Sequence, residues 1–173
     1  AQNSKYDENF MRKDIMRRAG NVDKIDFVTV DENNKKIIVE KGSFTLEKNM
    51  IVPAGYTFVI EAGANINLKQ NAKIISRSPV SFKGTEKSPI NIKSSDASGQ
   101  GIFVMADQKE SVMEYVVFDK LSNPSHFGWS LTGAVCFYES PVTIEHCTFK
   151  NNNSEDALNI FRSKFLLNNS HFE

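Results

Sequence analysis

Two neighbouring stretches of this chain superimpose residue for residue: Ala134-Val-Cys-Phe-Tyr-Glu-Ser-Pro-Val-Thr-Ile-Glu-His-Cys-Thr-Phe149 and Ala157-Leu-Asn-Ile-Phe-Arg-Ser-Lys-Phe-Leu-Leu-Asn-Asn-Ser-His-Phe172. They align without a gap at an offset of 23 residues. The matched apolar positions include Val135 with Leu158, Phe137 with Ile160, and Phe149 with Phe172. A repeat of this length, built from short runs in which apolar and polar residues alternate, is typical of a β-solenoid.

The alternation inside each repeat predicts three short strands joined by corners. Val135 and Phe137 would face one way and Tyr138 the other, before a corner that contains Pro141. Stacking successive repeats pairs each strand with its equivalent in the next repeat, so every sheet is parallel and the inward stripe is buried only against neighbouring repeats. The sequence therefore predicts an all-β fold, a right-handed parallel β-helix.

A third repeat fits upstream of the first two. Residues 101–106 match the first strand, and residues 112–118 match residues 143–149. Between this repeat and the next lies a longer excursion, residues 119–132, which contains the only tryptophan of the chain. Insertions between solenoid strands become loops on one face, and such loops often carry function.

The N-terminal part of the chain differs in character from the repeats. We predict a short helical or irregular cap over residues 1–36 and the β-helix domain over residues 37–173. Residues 4–20 favour a short helix, and residues 27–30 and 36–39 favour two strands that lead into the first turn. We expect this cap to cover the open N-terminal end of the coil, where apolar side chains and unpaired backbone groups would otherwise be exposed.

The last repeat stops at Glu173, one residue after Phe172, without a segment that would cap it. An end built from Ile160, Leu167 and Phe172 would leave apolar side chains open. We therefore expect the β-helix to be truncated at this end. Three explanations stay open: the natural chain continues, another chain caps the end, or two such ends stack. If the natural chain continues, an active site would have room in its further turns.

The chain contains three characteristic phrases: Ile51-Val-Pro-Ala-Gly55 with Ile60-Glu-Ala-Gly63, Val142-Thr-Ile-Glu-His-Cys-Thr-Phe-Lys-Asn-Asn152, and Asp156-Ala-Leu-Asn-Ile160. These phrases resemble the right-handed β-helix repeat proteins of bacteria, which belong to the broad pectate-lyase-like superfamily. The resemblance implies the β-helix fold and a secreted, periplasmic or cell-surface location. Because the superfamily includes lyases, hydrolases, phage tailspikes and surface proteins without known chemistry, the resemblance implies no single activity.

The 173-residue chain has room for one domain, and its 21 basic residues balance its 21 acidic residues. A balanced charge gives no electrostatic case for binding nucleic acid. The sequence has no run of about 18 apolar residues, so we expect no insertion into a membrane. Its start has no signal-peptide pattern, so we expect any such peptide to have been removed already.

The outward positions of the first strand can be stacked across three repeats to look for catalytic groups. One column holds Phe103, Cys136 and Asn159, and the other holds Met105, Tyr138 and Phe161. Neither column offers a carboxylate, and the second is an apolar ladder, which is the wrong composition for a catalytic groove. Cys136 should point outward and Cys147 inward, so we predict no disulfide between them.

Four charged residues of the last repeat are the candidates for catalysis: Glu155, Asp156, Arg162 and Lys164. They belong to an alternative interpretation, a polysaccharide lyase or glycoside hydrolase acting on an acidic polysaccharide. Clustered carboxylates would then hold calcium, and a basic residue would act as the base. The simpler interpretation is a solvated turn for the two acidic residues and an exposed ion pair between Arg162 and Glu139 at equivalent corners.

The most suggestive binding cluster lies on the long excursion and consists of His126, Phe127 and Trp129. An exposed aromatic residue beside polar groups is suited to stack against a sugar ring, and Tyr138 and Phe161 of the outer ladder share this property. A Trp129 side chain that folds back over the side of the coil is the other interpretation. We expect no cofactor and no metal site, and calcium enters only under the enzymatic alternative.

The sequence therefore favours a non-catalytic, secreted or surface β-helix module for structural display or for binding a polysaccharide or a protein partner. The lyase or hydrolase is the alternative. A third interpretation is an assembly protein whose ladder of Met105, Tyr138 and Phe161 docks onto another chain. Self-association would then be side by side through this ladder, or end to end through an open end of the coil.

Overall fold

The computed structural model describes residues 15–173, and its strands wind into a parallel β-solenoid of about six turns. The regular elements of the described residues are all strands or short 3₁₀ helices. The predicted all-β solenoid is therefore confirmed. A complete turn crosses three sheets, which gives the coil its three sides.

The three sheets contain equivalent strands of successive turns. The first sheet contains β1 (Val28–Asp31), β2 (Lys36–Val39), β5 (Thr57–Glu61), β8 (Val80–Lys83), β11 (Ser111–Glu114), β16 (Val142–Glu145) and β19 (Phe165–Asn168). The second sheet contains β3 (Gly42–Leu46), β6 (Ala64–Leu68), β9 (Ile90–Lys93), β12 (Val116–Asp119), β17 (Thr148–Lys150) and β20 (His171–Phe172). The third sheet contains β4 (Met50–Val52), β7 (Ile74–Ser76), β10 (Ile102–Val104), β15 (Gly133–Tyr138) and β18 (Asp156–Phe161).

The remaining elements lie outside this regular coil. The long excursion forms a small hairpin of β13 (Ser125–His126) and β14 (Trp129–Ser130). Two 3₁₀ helices, Ile15–Arg17 and Val22–Lys24, precede the first strand. β1 pairs antiparallel with β2, so it occupies the edge that the first turn would otherwise leave unpaired.

The register between turns agrees with the alignment of the repeats. The observed parallel pairs include Val135 with Leu158, Phe137 with Ile160, and Phe149 with Phe172. The upstream repeat is also in the predicted register, since Phe103 pairs with Cys136. The repeat pattern thus predicts not only the fold class but also which residues are neighbours in the stacked turns.

Inward side chains of adjacent turns pack directly over one another. Phe118, Phe149 and Phe172 form one stack, with successive ring centroids 5.1 Å and 4.7 Å apart. Phe58 and Phe82 meet edge to face at 5.3 Å. Burial of apolar surface stabilises a fold by about 25 cal/mol per Å². The stacked stripe is therefore the main source of stability, and each turn obtains it from its neighbours.

Corners between the first and second sheets use residues in the left-handed conformation. The φ angle is 49° at Tyr115, 51° at His146 and 47° at Asn169. This conformation costs a residue other than glycine about 1–2 kcal/mol. The Tyr115 and His146 rings stack at 4.6 Å with an interplanar angle of 11°, and aromatic stacking contributes about 0.5–1.5 kcal/mol in return. His146 therefore has a structural role at its corner.

The outward face of the third sheet is covered rather than open to solvent. Ile51 and Ile75 alternate with core residues and therefore point out of the coil, yet they are buried. Ile15 and the partly buried Trp129 and Met105 pack against them. A second apolar layer thus lies on the side of the coil, outside the main core.

The N-terminal segment contributes to both apolar layers. Of the helix predicted over residues 4–20, residues 4–14 lie outside the described residues, and Ile15–Arg17 form a single 3₁₀ turn instead of an α-helix. Ile15 lies on the side of the third sheet, a position that the repeat pattern does not predict. Val22 and Ile25 pack into the main core beside the first turn.

We predict that the stacked core is sensitive to truncation and the excursion hairpin is not. Phe149→Ala removes a fully buried ring that lies between two others, and such changes cost about 3–5 kcal/mol of unfolding free energy. Phe127→Ala removes a ring that is 77% exposed and should change stability by at most about 0.5 kcal/mol. Chemical denaturation of both variants measures the difference, and equal losses would contradict the assignment of Phe149 to the core.

Candidate functional site

A cleft of about 450 Å³ lies at the corner that precedes the first two strands of the third sheet. Its walls are the N-terminal segment at residues 18–21, the corner at residues 48–51, the turn at residues 70–73, and His126 of the excursion hairpin. We call this the corner cleft. It forms where the two coverings of the coil approach the same corner, so distant parts of the sequence contribute to it.

The N-terminal wall of the corner cleft is fixed to the coil by hydrogen bonds. The Asn21 side chain donates from Nδ2 to the Asn49 carbonyl at 2.8 Å, and its Oδ1 accepts from the Ile51 amide at 2.7 Å. The Arg77 guanidinium donates to the carbonyl oxygens of Met16 and Arg18, both at 2.6 Å. The wall is therefore tied to two successive turns, which keeps the cleft open in a defined shape.

The lining of the corner cleft combines amides and basic groups. The amide side chains are those of Asn21, Asn49, Gln70 and Asn71. The basic side chains are those of Arg18, Lys48, Lys73 and His126. Among the described residues that line it, none carries a carboxylate. The cleft can thus donate and accept hydrogen bonds, and the described residues of its walls supply basic groups without a carboxylate that would neutralise them.

Lys73 is the unusual member of this set because its side chain is only 3% exposed. Its Nζ donates to Asn49 Oδ1 at 3.3 Å and to the Asn71 carbonyl at 3.2 Å. Both acceptors are neutral, and no ion pair of the described residues includes Lys73. Burial without a counter-charge disfavours the ammonium form and lowers the pKa of Lys73 to about 8.

The register of the third sheet explains why this lysine stands out. Met50 pairs with Ile74, and Ile74 with Ile102, so the residues before these strands form a column of Asn49, Lys73 and Gly101 that continues to Ala134. The later turns place small residues in this column. Gly101 has a φ of 65°, and a Cβ there would collide with the Ala134 backbone. A long charged side chain in a column of small residues is the signal by which the sequence could have revealed Lys73.

The predicted aromatic cluster on the excursion is divided between two environments. His126 lines the corner cleft, and Phe127 is 77% exposed with its ring edge to face with His126 at 4.8 Å. Trp129 instead folds back over the coil, where it packs against the cluster of Ile15, Ile51 and Ile75 and its ring lies 6.5 Å from the Phe103 ring. The structure thus favours the folded-back interpretation for Trp129, and its ring does not line the cleft.

The outer ladder forms a separate and smaller feature. The Tyr138 and Phe161 rings stack at 5.7 Å and line an apolar pocket of about 110 Å³ together with Phe103. Met105 lies just beyond β10 and packs against the covered cluster of Ile15 instead. Of the ladder predicted from three repeats, Phe161 is exposed, whereas Met105 and Tyr138 are half-buried.

The four candidates for catalysis do not converge on one site. Arg162 lies at a corner and pairs with Glu139 at 3.8 Å, as their equivalent positions predict. Asp156 begins a strand about 17 Å long that ends at Phe161, and Arg162 follows that strand, so Asp156 and Arg162 lie at opposite ends of it. Hydrogen bonds from Thr132 and Asn159 hold the pKa of Asp156 below its usual range. Glu155 precedes this strand in the chain, Lys164 follows it, and both side chains are exposed.

The described residues contain no group of three or more His, Cys, Asp or Glu side chains that could hold a metal ion. They also contain no helix long and apolar enough to cross a membrane.

Cys136 and Cys147 are free and buried, as predicted for an unbonded pair, although the outward-facing Cys136 is covered rather than exposed. Burial raises the pKa of each thiol to about 11, which keeps both in the unreactive protonated form.

Comparison with known proteins does not place this chain in a family. No family model matches the chain, no curated protein matches it, and no solved structure matches it.

We predict that Lys73→Met raises the unfolding free energy, relative to that of the wild type, more at neutral pH than at alkaline pH. The folded protein releases the Lys73 proton near pH 8, whereas the unfolded chain holds it up to about pH 10.5, so wild-type stability rises with pH between these values. The methionine variant has no such proton. The difference in unfolding free energy between variant and wild type should therefore shrink by about 1–3 kcal/mol from pH 7 to pH 10.5.

Chemical denaturation across this pH range measures the difference directly. Ionisation of the two buried thiols occurs in both proteins and cancels in the comparison. Lys83→Met, at an exposed position of the first sheet, serves as the matched control for the loss of one lysine side chain. A constant difference for Lys73→Met would show that its ammonium is not desolvated in the fold.

Proposed function

We propose that this protein is a non-catalytic, secreted or surface β-solenoid module that binds a glycan in the corner cleft. The observation that supports the proposal most is the lining of that cleft, where amide and basic side chains of four separate segments surround about 450 Å³. The solenoid acts as the rigid support, and the coverings on its third sheet shape the binding surface.

A glycan suits this lining for chemical reasons. Sugar hydroxyls both donate and accept hydrogen bonds, and amide side chains such as Asn71 and Gln70 offer both functions. The Phe127 ring projects into solvent next to His126, at the rim of the cleft, where it can stack against a neighbouring sugar unit. Polar groups that fix orientation beside an exposed ring are typical of small-ligand sites.

A binding role suits the distribution of charged residues better than catalysis does. Hydrolysis of a glycosidic bond ordinarily needs two carboxyl groups on either side of the bond, about 5–9.5 Å apart. The described lining of the corner cleft contains no carboxylate, and Asp156 and Arg162 lie at opposite ends of β18. The resemblance to the pectate-lyase-like superfamily remains part of this proposal for the scaffold and its location, without its enzymatic chemistry.

The proposal is tested on a glycan array that presents neutral and acidic glycans. We expect the wild-type protein to bind a subset of them and Arg18→Ala to bind about ten- to a hundredfold more weakly, because it removes a charged donor from the cleft. Arg162→Ala removes another exposed arginine, which lies in the last turn of the coil, and this variant should bind as the wild type does.

Two results would contradict the proposal. Absence of binding to any glycan, or equal loss of binding in Arg18→Ala and Arg162→Ala, would remove the corner cleft as a glycan site. Polymers of uronic acids are also incubated with the protein, with and without calcium. Release of unsaturated products would replace the binding module with the lyase alternative.

A further inference from the structure

The ammonium of Lys73 lacks the partners that a buried charge ordinarily has. Buried lysines in folded proteins are normally paired, because removal of an unpaired charge from water is costly. Lys73 is 97% shielded from solvent and has hydrogen bonds only to the neutral oxygens of Asn49 and Asn71. Its position in the walls of an open cleft means that a ligand can supply the missing charge.

The hydrogen bonding of Lys73 is also incomplete. An ammonium group has three donors, and two are used by Asn49 Oδ1 and the Asn71 carbonyl at 3.3 Å and 3.2 Å. Both distances exceed the 2.7–2.9 Å that is usual for a charge-assisted hydrogen bond. One donor thus stays available, and the two existing bonds are long enough to rearrange around a stronger acceptor.

The other charged groups among the described residues of the cleft walls have the same sign. Arg18 comes from the N-terminal segment and Lys48 from the corner before β4. Lys48 donates to the Lys24 carbonyl at 2.7 Å, so its ammonium also has a neutral acceptor. An anionic oxygen in the cleft would reduce the mutual repulsion of these groups and accept hydrogen bonds from more than one of them.

We propose that the corner cleft is a receptor for an anionic oxygen group, a carboxylate or a sulfate ester, and that Lys73 is its anchoring charge. This inference rests on the proposed function, since it names the chemical class of the glycan that the same cleft binds. Recognition is by charge and hydrogen bonding at one substituent, while the amides of Asn21, Asn49 and Gln70 contact the neutral part of the ligand.

This anchoring role makes binding dependent on pH. In the unbound protein the pKa of Lys73 is about 8, so above this pH the side chain is neutral before the ligand arrives. A bound anion favours the ammonium form, and binding at higher pH must therefore take up a proton from solution. The affinity should fall by up to about tenfold for each pH unit above 8.

The test uses three sugars that differ at one substituent: glucose, glucuronate and glucose 6-sulfate. Each is titrated into the wild-type protein while its backbone amide signals are followed by NMR, with inorganic sulfate as a fourth probe. We expect the two charged sugars to bind at least tenfold more tightly than glucose, with shifts at residues 70–73 and 48–51. Their affinity should fall between pH 8 and pH 10.

The test variant and its control each replace one lysine by methionine and so remove the same charge. Lys73→Met keeps a long unbranched side chain without the charge and should remove the advantage of the charged sugars over glucose, together with the pH dependence above 8. Lys83→Met lies on the first sheet, outside the corner cleft, and should bind as the wild type does. The thermal midpoint of each variant confirms that it is folded. His126→Gln is titrated in parallel, and the pH dependence above 8 should persist in it.

The outcomes separate this inference from the proposed function. Equal binding of the three sugars, or unchanged discrimination in Lys73→Met, overturns the anionic ligand while glycan binding on the array still stands. Absence of binding by both charged sugars and by sulfate also overturns it. Tight binding of inorganic sulfate by a protein that binds no array glycan supports the anion site and overturns the glycan as its source.

Discussion

The parallel register between successive turns is the constraint on which the rest of the structure depends. One turn cannot bury its own inward stripe, so Phe149 obtains its burial from Phe118 on one side and Phe172 on the other. A slip of one residue would turn the whole stripe outward, which is why the register is strongly specified. Insertions can therefore leave the coil only at corners, and the excursion at residues 119–132 returns in register at β15.

The same constraint explains where a binding site can arise. The inward face is filled by core residues, and the outward faces are flat, so a concave surface needs material added to the coil. The N-terminal segment and the excursion hairpin both pack on the third sheet, and the corner cleft lies between them. Because Asn21 and Arg77 tie the segment to two different turns, the cleft is preorganised, which reduces the entropic cost of binding.

Lys73 connects the fold with the proposed function. The column to which it belongs is filled by Gly101 and Ala134 in later turns, so a small residue there would be compatible with the fold. A buried ammonium without a counter-charge reduces stability, and residues that conflict with the local pattern are most often found at functional sites. This conflict between the charge and the scaffold is the reason why we propose a role for Lys73 in ligand recognition.

The sequence by itself determined the solenoid, its register and the inward residues, because alternation and a 23-residue repeat are local properties that persist along the chain. The sequence also predicted the ion pair between Arg162 and Glu139, since equivalent corners lie side by side in any stacked coil. Only the tertiary structure decided that Trp129 is folded back and that Lys73 and Arg18 share one cleft. Those contacts join segments without a common repeat, and their geometry depends on how non-repetitive pieces pack across a finished surface.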